Sequence, residues 1–197
     1  MSDLLLISGG IDSTAIAAWL RPSVCVTINY GQRPAEAEIQ ASAQICKDLD
    51  LRHEVLSARI PQLGAGDMSG SKPSTHSIHS EFWPFRNQYL ITLAAMSAMA
   101  HQCDRVLIGT VVTDQRHLDG SPVFAETLDR LLALQEGGIR LAAPAASLTS
   151  AELVHRSQIS AGVLGWSHSC HTSNLACGRC RGCQKHSEVM AELGWQR

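Results

Sequence analysis

The sequence has no surplus of positive charge, no long apolar run and no internal repeat. Sixteen Lys and Arg stand against 18 Asp and Glu, a formal charge of −2. No global basic field therefore draws the chain to nucleic acid or to a membrane surface. No apolar run approaches the ~20 residues of a membrane span. The start, Met1-Ser2-Asp3 and a few apolar residues, has no basic region and too short an apolar core for a secretion signal; the expectation is a cytoplasmic location. Seven cysteines, an odd count, argue against a disulfide framework in such a chain. What is present, 45% apolar and 17% charged residues over 197 positions, suits an ordinary globular protein with one sizeable core. The chain is read as one domain over 1–197.

Short apolar runs alternate with longer helix-like stretches. Leu4 to Ser8, Val24 to Ile28, His53 to Leu56, Arg105 to Gly109 and Arg140 to Ala143 read as strands. Helices are expected over Ser13 to Leu20, Ala35 to Leu49 after Pro34, Arg86 to His101, and Pro122 to Gln135 closed by Gly137-Gly138. A further helix runs from an N-cap at Ser150 to about Ala161, and a short final one reaches Leu193. Pro61 to Ser80, rich in Gly, Ser, Pro and His, reads as a long surface loop. The alternation implies an α/β fold, a parallel sheet with helices on both faces. Ligands of such sheets bind outside the carboxyl ends of the strands.

Ser8-Gly9-Gly10-Ile11-Asp12-Ser13 lies between the first strand and first helix. Its glycines allow close backbone approach to an anion, and the helix N-terminus offers unpaired N–H groups. Ser8 and Ser13 add hydroxyl donors. Asp12 would repel a phosphate unless a cation intervenes, which assigns it to Mg²⁺. The loop lacks the Gly-Lys-Ser/Thr ending of a Walker motif, which argues against γ-phosphate transfer. The string resembles the SGGxDS signature of the PP-loop ATP pyrophosphatases. That resemblance implies ATP, bound through its pyrophosphate, and adenylation of a substrate.

Cys170, Cys177, Cys180 and Cys183 are clustered, with Gly178 and Gly182 between or beside them. Four thiolates suit a tetrahedral, closed, structural Zn²⁺ site. The segment 166–193 would be stapled by it. His168, His171 and His186 are alternative ligands, and Arg179, Arg181 and Lys185 make this end locally basic, read first as a solvated face and second as a phosphate or partner contact. Cys25, Cys46 and Cys103 read as small buried hydrophobes.

The two motifs in this order resemble the 7-cyano-7-deazaguanine synthase (QueC) family. Asn29-Tyr30-Gly31-Gln32-Arg33 is similar to its Asp-Tyr-Gly-Gln-Arg segment. Phe82-Trp83-Pro84-Phe85-Arg86-Asn87 is similar to its Val-Pro-Gly-Arg-Asn segment, and Gly109 with Asp114 to its Gly-x-x-x-x-Asp stretch. Pro144, Leu148-Thr149 and Glu152 fit a further family stretch in outline, with Ala151 in place of the family's Lys. Trp166-Ser167 before the cysteines also fits. The resemblance implies a Rossmann-like fold of the adenine nucleotide alpha hydrolase-like kind with a C-terminal four-cysteine zinc knuckle. It implies a homodimer that adenylates the carboxylate of 7-carboxy-7-deazaguanine and forms the amide and then the nitrile with ammonia. ATP would rest on Ser8 to Ser13, Tyr30, Gln32, Arg33 and Gly109. The deazaguanine would meet Trp83, Phe85, Arg86, Asn87 and Asp114, with Tyr30 or Trp83 stacking on a flat ring.

The resemblance fails over Asp114-Gln115-Arg116-His117-Leu118-Asp119-Gly120-Ser121-Pro122. There the family's aromatics and Cys are absent, and His117 and Asp119 are new. His117 suits a general base for an incoming amine, oriented by Asp119; a polar loop capping the next helix is the plainer alternative. The departures resemble synthase-like members of antiviral operons, notably type IV CBASS, for which the implied acceptor is an amine on a protein. Two other classes compete. A tRNA-thiolating PP-loop enzyme would need a reactive cysteine pair and a basic RNA-binding surface. A non-catalytic zinc-knuckle binding module would not need the intact Ser8–Ser13 loop.

Overall fold

The computed structural model describes residues 2–195. Five parallel strands form one sheet: β1 (Asp3–Leu6), β2 (Val24–Asn29), β3 (His53–Ser57), β4 (Arg105–Leu107) and β5 (Arg140–Ala142), in the order β3-β2-β1-β4-β5. Leu4 of β1 is level with Val24 on one side and Val106 on the other. The helices are α1 (Ile11–Leu20), α2 (Ala35–Asp48), the single-turn α3 (Gly66–Ser69), α4 (Arg86–Ala100), α5 (Pro122–Ala133), α6 (Ser150–Ser157), the short α7 (Ala161–Leu164) and α8 (Arg181–Glu192).

The strands alternate between two cores, as the two-residue period of a strand requires. Leu5, Cys25 and Leu107 join Ile16 of α1, Ile45 of α2, Leu153 of α6 and Val189 of α8. Leu4, Val24, Val26 and Val106 face the other way, onto Ile91 and Ala94 of α4 and Leu128 and Leu132 of α5. A sheet covered on both faces explains why these strands read as continuous apolar runs. Cys25 and Cys46 belong to the first core and Cys103 to the second.

Several expected boundaries move. The helix after β1 starts at Ile11, not Ser13, with Gly10 as its cap. The cap of α6 is Thr149, not Ser150: Thr149 is extended, and its hydroxyl accepts from Glu152 N–H at 3.2 Å. Glu152 returns a bond from Thr149 N–H at 2.7 Å, which completes a capping box. That helix stops at Ser157 because Gln158 is left-handed; Ser160 then caps α7. Helix α5 ends at Ala133, before Gly137-Gly138, on tight bonds from Leu134 and Gln135 to the carbonyls of Leu131 and Leu132. Inside 61–80, Met68 of α3 is buried in the second core, and Asp67 is tied to Ser80 by its N–H and its carboxylate. Among the described residues, no helix is long and apolar enough to cross a membrane.

Candidate active site and metal centre

The chain winds from β1 out to β3 and returns to β4 beside β1, so the loops after β1 and β4 diverge from a switch point. A cavity of about 360 Å³ opens there. Ser8, Gly10, Ile11, Asp12 and Ser13 line one wall, and Gly109, Thr110, Thr113 and Asp114 line the other.

The first loop is shaped by its own residues. Gly9 has φ +72, and a Cβ there would sit 2.9 Å from Ala41 Cβ and 3.0 Å from the Glu38 carbonyl oxygen. Ser13 Oγ accepts from Ser8 N–H at 3.3 Å and donates to the Gly10 carbonyl at 3.2 Å. The Gly9 carbonyl accepts from His168 N–H at 2.8 Å, which joins the loop to the cysteine segment. The start of α1, which lines the cavity, offers N–H groups for an anion.

Asp12, expected to hold Mg²⁺, is engaged by an ammonium: Lys185 Nζ lies 2.8 Å from its Oδ2 and 3.0 Å from Asp114 Oδ1. Burial raises the Asp12 carboxyl above its usual range against the pull of Lys185. Burial also disfavours the Lys185 charge, but Asp12 and Asp114 outweigh it and raise its pKa. Asp12 Oδ1 is buried, and the Ser150 hydroxyl near the carboxylate also draws its pKa down.

The second-strand segment acts mostly as framework. Tyr30 and Trp83 are both buried, edge to face at 5.0 Å between centroids. Trp83 does not reach the cavity wall, whereas Tyr30 lines the cavity from within the core. Burial pushes the Tyr30 hydroxyl up, and it donates to Met68 Sδ. Gln32, expected at the nucleotide, fixes its own turn instead. Its Oε1 accepts from Tyr30 N–H at 2.9 Å, and its Nε2 donates to Glu38 Oε2 at 2.7 Å. Burial raises the Glu38 carboxyl to about 7. Arg33 packs beside Gly70 and is absent from the cavity wall. Phe85 is 78% exposed and left-handed at the cap of α4, also off the wall. A left-handed residue turns the chain sharply into α4 and leaves the ring outside.

Arg86 and Asn87 do line the cavity. Arg86 Nε donates to Asn87 Oδ1 at 3.2 Å, and Asn87 Nδ2 donates to the Asp119 carbonyl at 3.2 Å. His117 also lines it, but its bonded carboxylate is Glu81, 3.3 Å from Nε2, where Asp119 was expected. Arg116 lies 3.0 Å from the same Glu81 oxygen, and the His79 ring packs edge-on to His117 at 4.9 Å. Burial opposes the Glu81 charge, yet its own backbone amide, Arg116 and His117 hold the carboxyl below its usual range. Glu81 is the residue that sequence reasoning missed, and Lys185 was legible there only as part of a locally basic end. Glu81 is the only acid between Asp67 and Asp104, in a stretch otherwise rich in Ser and His. Lys185 lies two residues beyond the fourth clustered cysteine, a position that a solvated helix face explains equally well.

The sulfurs of Cys170, Cys177, Cys180 and Cys183 all lie within 4.8 Å of one another. Cys170 to Cys180 and Cys177 to Cys183 are each 3.9 Å. A tetrahedron with Zn–S near 2.3 Å has edges of about 3.8 Å, so the set fits a zinc ion. Backbone N–H groups of His171 and Cys180 point at Cys180 Sγ and Cys177 Sγ. Thr172 and the amides of Arg179 and Cys180 draw the Cys177 thiol down to about 5, while burial pushes Cys183 up to about 12. Four adjacent thiols cannot all ionise without a cation among them. Gly182 is required by close approach: a Cβ there would overlap the Ser169 carbonyl oxygen. His168, His171 and His186 stand outside the four-sulfur group; burial lowers His171 to about 4, and His186 Nδ1 pairs with Ser169 Oγ at 3.0 Å.

Comparison with known proteins agrees with this geometry. The family model described as "Queuosine biosynthesis protein QueC" matches residues 2–194. The 7-cyano-7-deazaguanine synthase 1 of Desulfitobacterium hafniense (strain Y51) is 30% identical over 200 residues, 95% of this chain and 90% of that protein. The 7-cyano-7-deazaguanine synthase of Desulforudis audaxviator (strain MP104C) is 30% identical over 221 residues and the whole of both chains. Among solved structures, an NMN synthetase from Francisella tularensis superposes with TM-score 0.53 at 16% identity, over all of this chain and 78% of that one, a likeness of fold.

Proposed function

The chain belongs to the QueC family, and from that membership we propose that it is a synthase that adenylates 7-carboxy-7-deazaguanine with ATP and passes the activated acyl group to a nitrogen nucleophile. The observation that carries this reading is the cavity at the β1/β4 switch point. It has an anion-binding loop on one wall and His117, Arg86 and Asn87 elsewhere on its surface.

A carboxylate resists nitrogen attack until its oxygen becomes a good leaving group. One carboxylate oxygen attacks the α-phosphorus of ATP, the bond to the bridging oxygen breaks, and pyrophosphate departs. The N–H groups of the Ser8–Ser13 loop and the α1 N-terminus bind the released charge. Arg86 binds the carboxylate or a phosphate oxygen. Asp12 and Asp114 would hold magnesium brought with the phosphates, which would neutralise phosphate charge. Ammonia then attacks the acyl carbon, AMP leaves, and the proton shed by the new nitrogen passes to His117. Glu81 holds the His117 ring through Nε2. A second ATP activates the amide oxygen in the same way, and loss of AMP with two N–H protons gives the nitrile. Zinc, held by the four cysteines, supplies structure and takes part in no step. The chain is further read as one domain, working as a homodimer in the cytoplasm.

The test is zinc-loaded protein with Mg-ATP and 7-carboxy-7-deazaguanine, followed by mass spectrometry with and without ammonium. AMP together with amide and nitrile is the expected outcome; no AMP overturns the reading. A second reading keeps the activation and changes the acceptor to an amine on a protein, as in the antiviral-defence variant. It is favoured by the loop 114–122, where the Glu81-Arg116-His117 cluster stands in place of the family's pattern. AMP formation that stalls before the nitrile selects that reading.

A further inference from the structure

The anion loop after β1 contains no cation of its own: Ser8 to Ser13 holds one charged side chain, Asp12. A pyrophosphate bound there needs positive charge from elsewhere. The side chain that reaches the loop is Lys185, 173 residues from Asp12 in sequence. It arrives on α8, whose N-cap is Cys180 and whose first turn holds Cys183. Its ammonium rests on the cavity wall between the carboxylates of the two facing loops.

We propose that Lys185 is a pyrophosphate-binding residue, placed by Asp12 and Asp114 and delivered to the loop by the four-cysteine knuckle. An ammonium has three N–H donors. Two are directed at Asp12 and Asp114, which leaves one for a phosphate oxygen. The two carboxylates and one ammonium sum to a charge of −1, so the arrangement holds the lysine in place without neutralising an incoming anion by itself. The carboxylates of Asp12 and Asp114 would also hold magnesium brought with the phosphates, which would leave the ammonium facing the anion. The other arginines on the wall are turned elsewhere: Arg86 to Met68 Sδ at 3.0 Å and to Asn87, Arg116 to Glu81 and Arg181 to Glu188. Lys185 thus gives this loop the charge that a Walker loop carries within its own sequence, but from the far side of the chain.

This inference rests on the reading of the Ser8–Ser13 loop as the pyrophosphate site, and the test separates the two. Calorimetry would measure binding of magnesium pyrophosphate and of a non-hydrolysable ATP analogue to wild type, Lys185→Met, Lys185→Gln and Lys185→Arg. Zinc content and unfolding midpoint are recorded for each; the Gln variant serves if the Met variant does not fold. The expected result is binding weakened about tenfold or more in a folded neutral variant, with substantial recovery in Lys185→Arg. A folded neutral variant with normal zinc that binds pyrophosphate as tightly as wild type overturns the role of Lys185 and leaves the loop's role standing. Failure of wild type to bind either ligand overturns both.

Discussion

Across the cavity, the loop after β1 and the loop after β4 are two kinds of construction. The first spans six consecutive residues and shapes itself: Gly9 supplies the left-handed turn, and Ser8 and Ser13 bond to each other and to Gly10. The second bonds locally as well, Val111 N–H to Asp114 and Ser121 to the Leu118 carbonyl, but its charged side chains are placed by distant parts of the chain. Lys185 holds Asp114, Glu81 holds Arg116 and His117, and Asn87 holds the Asp119 carbonyl. A self-shaped loop can be read in sequence as a string, whereas a loop shaped by others can be read only after the fold brings its partners together.

The largest test of that contrast acts on the knuckle. Structural zinc is worth on the order of 10 kcal/mol in small zinc-dependent folds. Cys183→Ser is expected to abolish zinc binding and expose the amides of Arg181–Glu192 to hydrogen exchange, while those of β1 and α1 stay protected. Metal analysis and exchange mass spectrometry check this; equal loss in α1 would show that the first loop is not self-sufficient.

Gly9→Ala strikes the self-shaped loop. A left-handed non-glycine and a contact at 2.9 Å together cost about 2–3 kcal/mol. Urea unfolding should show that loss, and nucleotide binding should fall with it. Unchanged nucleotide affinity would mean that the turn at Gly9 does not set the anion site.

Glu38, which lies beneath that turn, gives a pH test of similar size at its upper limit. Its carboxyl is ordinary at 4.5 in the unfolded chain and raised to about 7 in the native one. Between those values the unfolded state has lost its proton and the native state has not, so native stability falls as pH rises. The full loss is about 3 kcal/mol. Glu38→Gln lacks it, so its stability relative to wild type should improve from pH 5 to pH 8 by urea unfolding. A difference independent of pH would contradict the burial of that charge.

Smaller effects are expected in the second loop. Glu81→Gln should lower kcat with ammonium by about tenfold through loss of the His117 orientation, with little change in KM for ATP. Asp119→Asn, which leaves the bonded Asp119 carbonyl in place, should stay within about twofold in the same assay. If Asp119→Asn has the larger effect, the assignment of Glu81 as the partner of His117 is wrong.

The sheet was legible because its first two strands are apolar on both faces, and the glycine loop and cysteine quartet because each is contiguous or nearly so. Trp83 misled: it looks like a platform for a flat ring, but it packs edge to face on Tyr30 in the core, and of the pair it is Tyr30 that lines the cavity. Gln32 looks like a ligand contact because it is polar and near a strand end, yet its bonds all close on the local turn and Glu38. Phe85 gave no sign that a left-handed backbone would turn it outward. Glu81 was invisible, and Lys185 legible only as one of three basic residues near the cysteines, for the opposite reason: each acquires its role from partners remote in sequence.

The bond from His168 N–H to the Gly9 carbonyl also bears on synthesis of the chain. Gly9 leaves the ribosome 159 residues before His168, an interval of roughly 8–30 s at ordinary elongation rates. Throughout that time the anion loop exists without its tie to the knuckle. A nascent chain can therefore form the early strands and α1 long before it has a complete site, and any product that ends short of the cysteines lacks that tie.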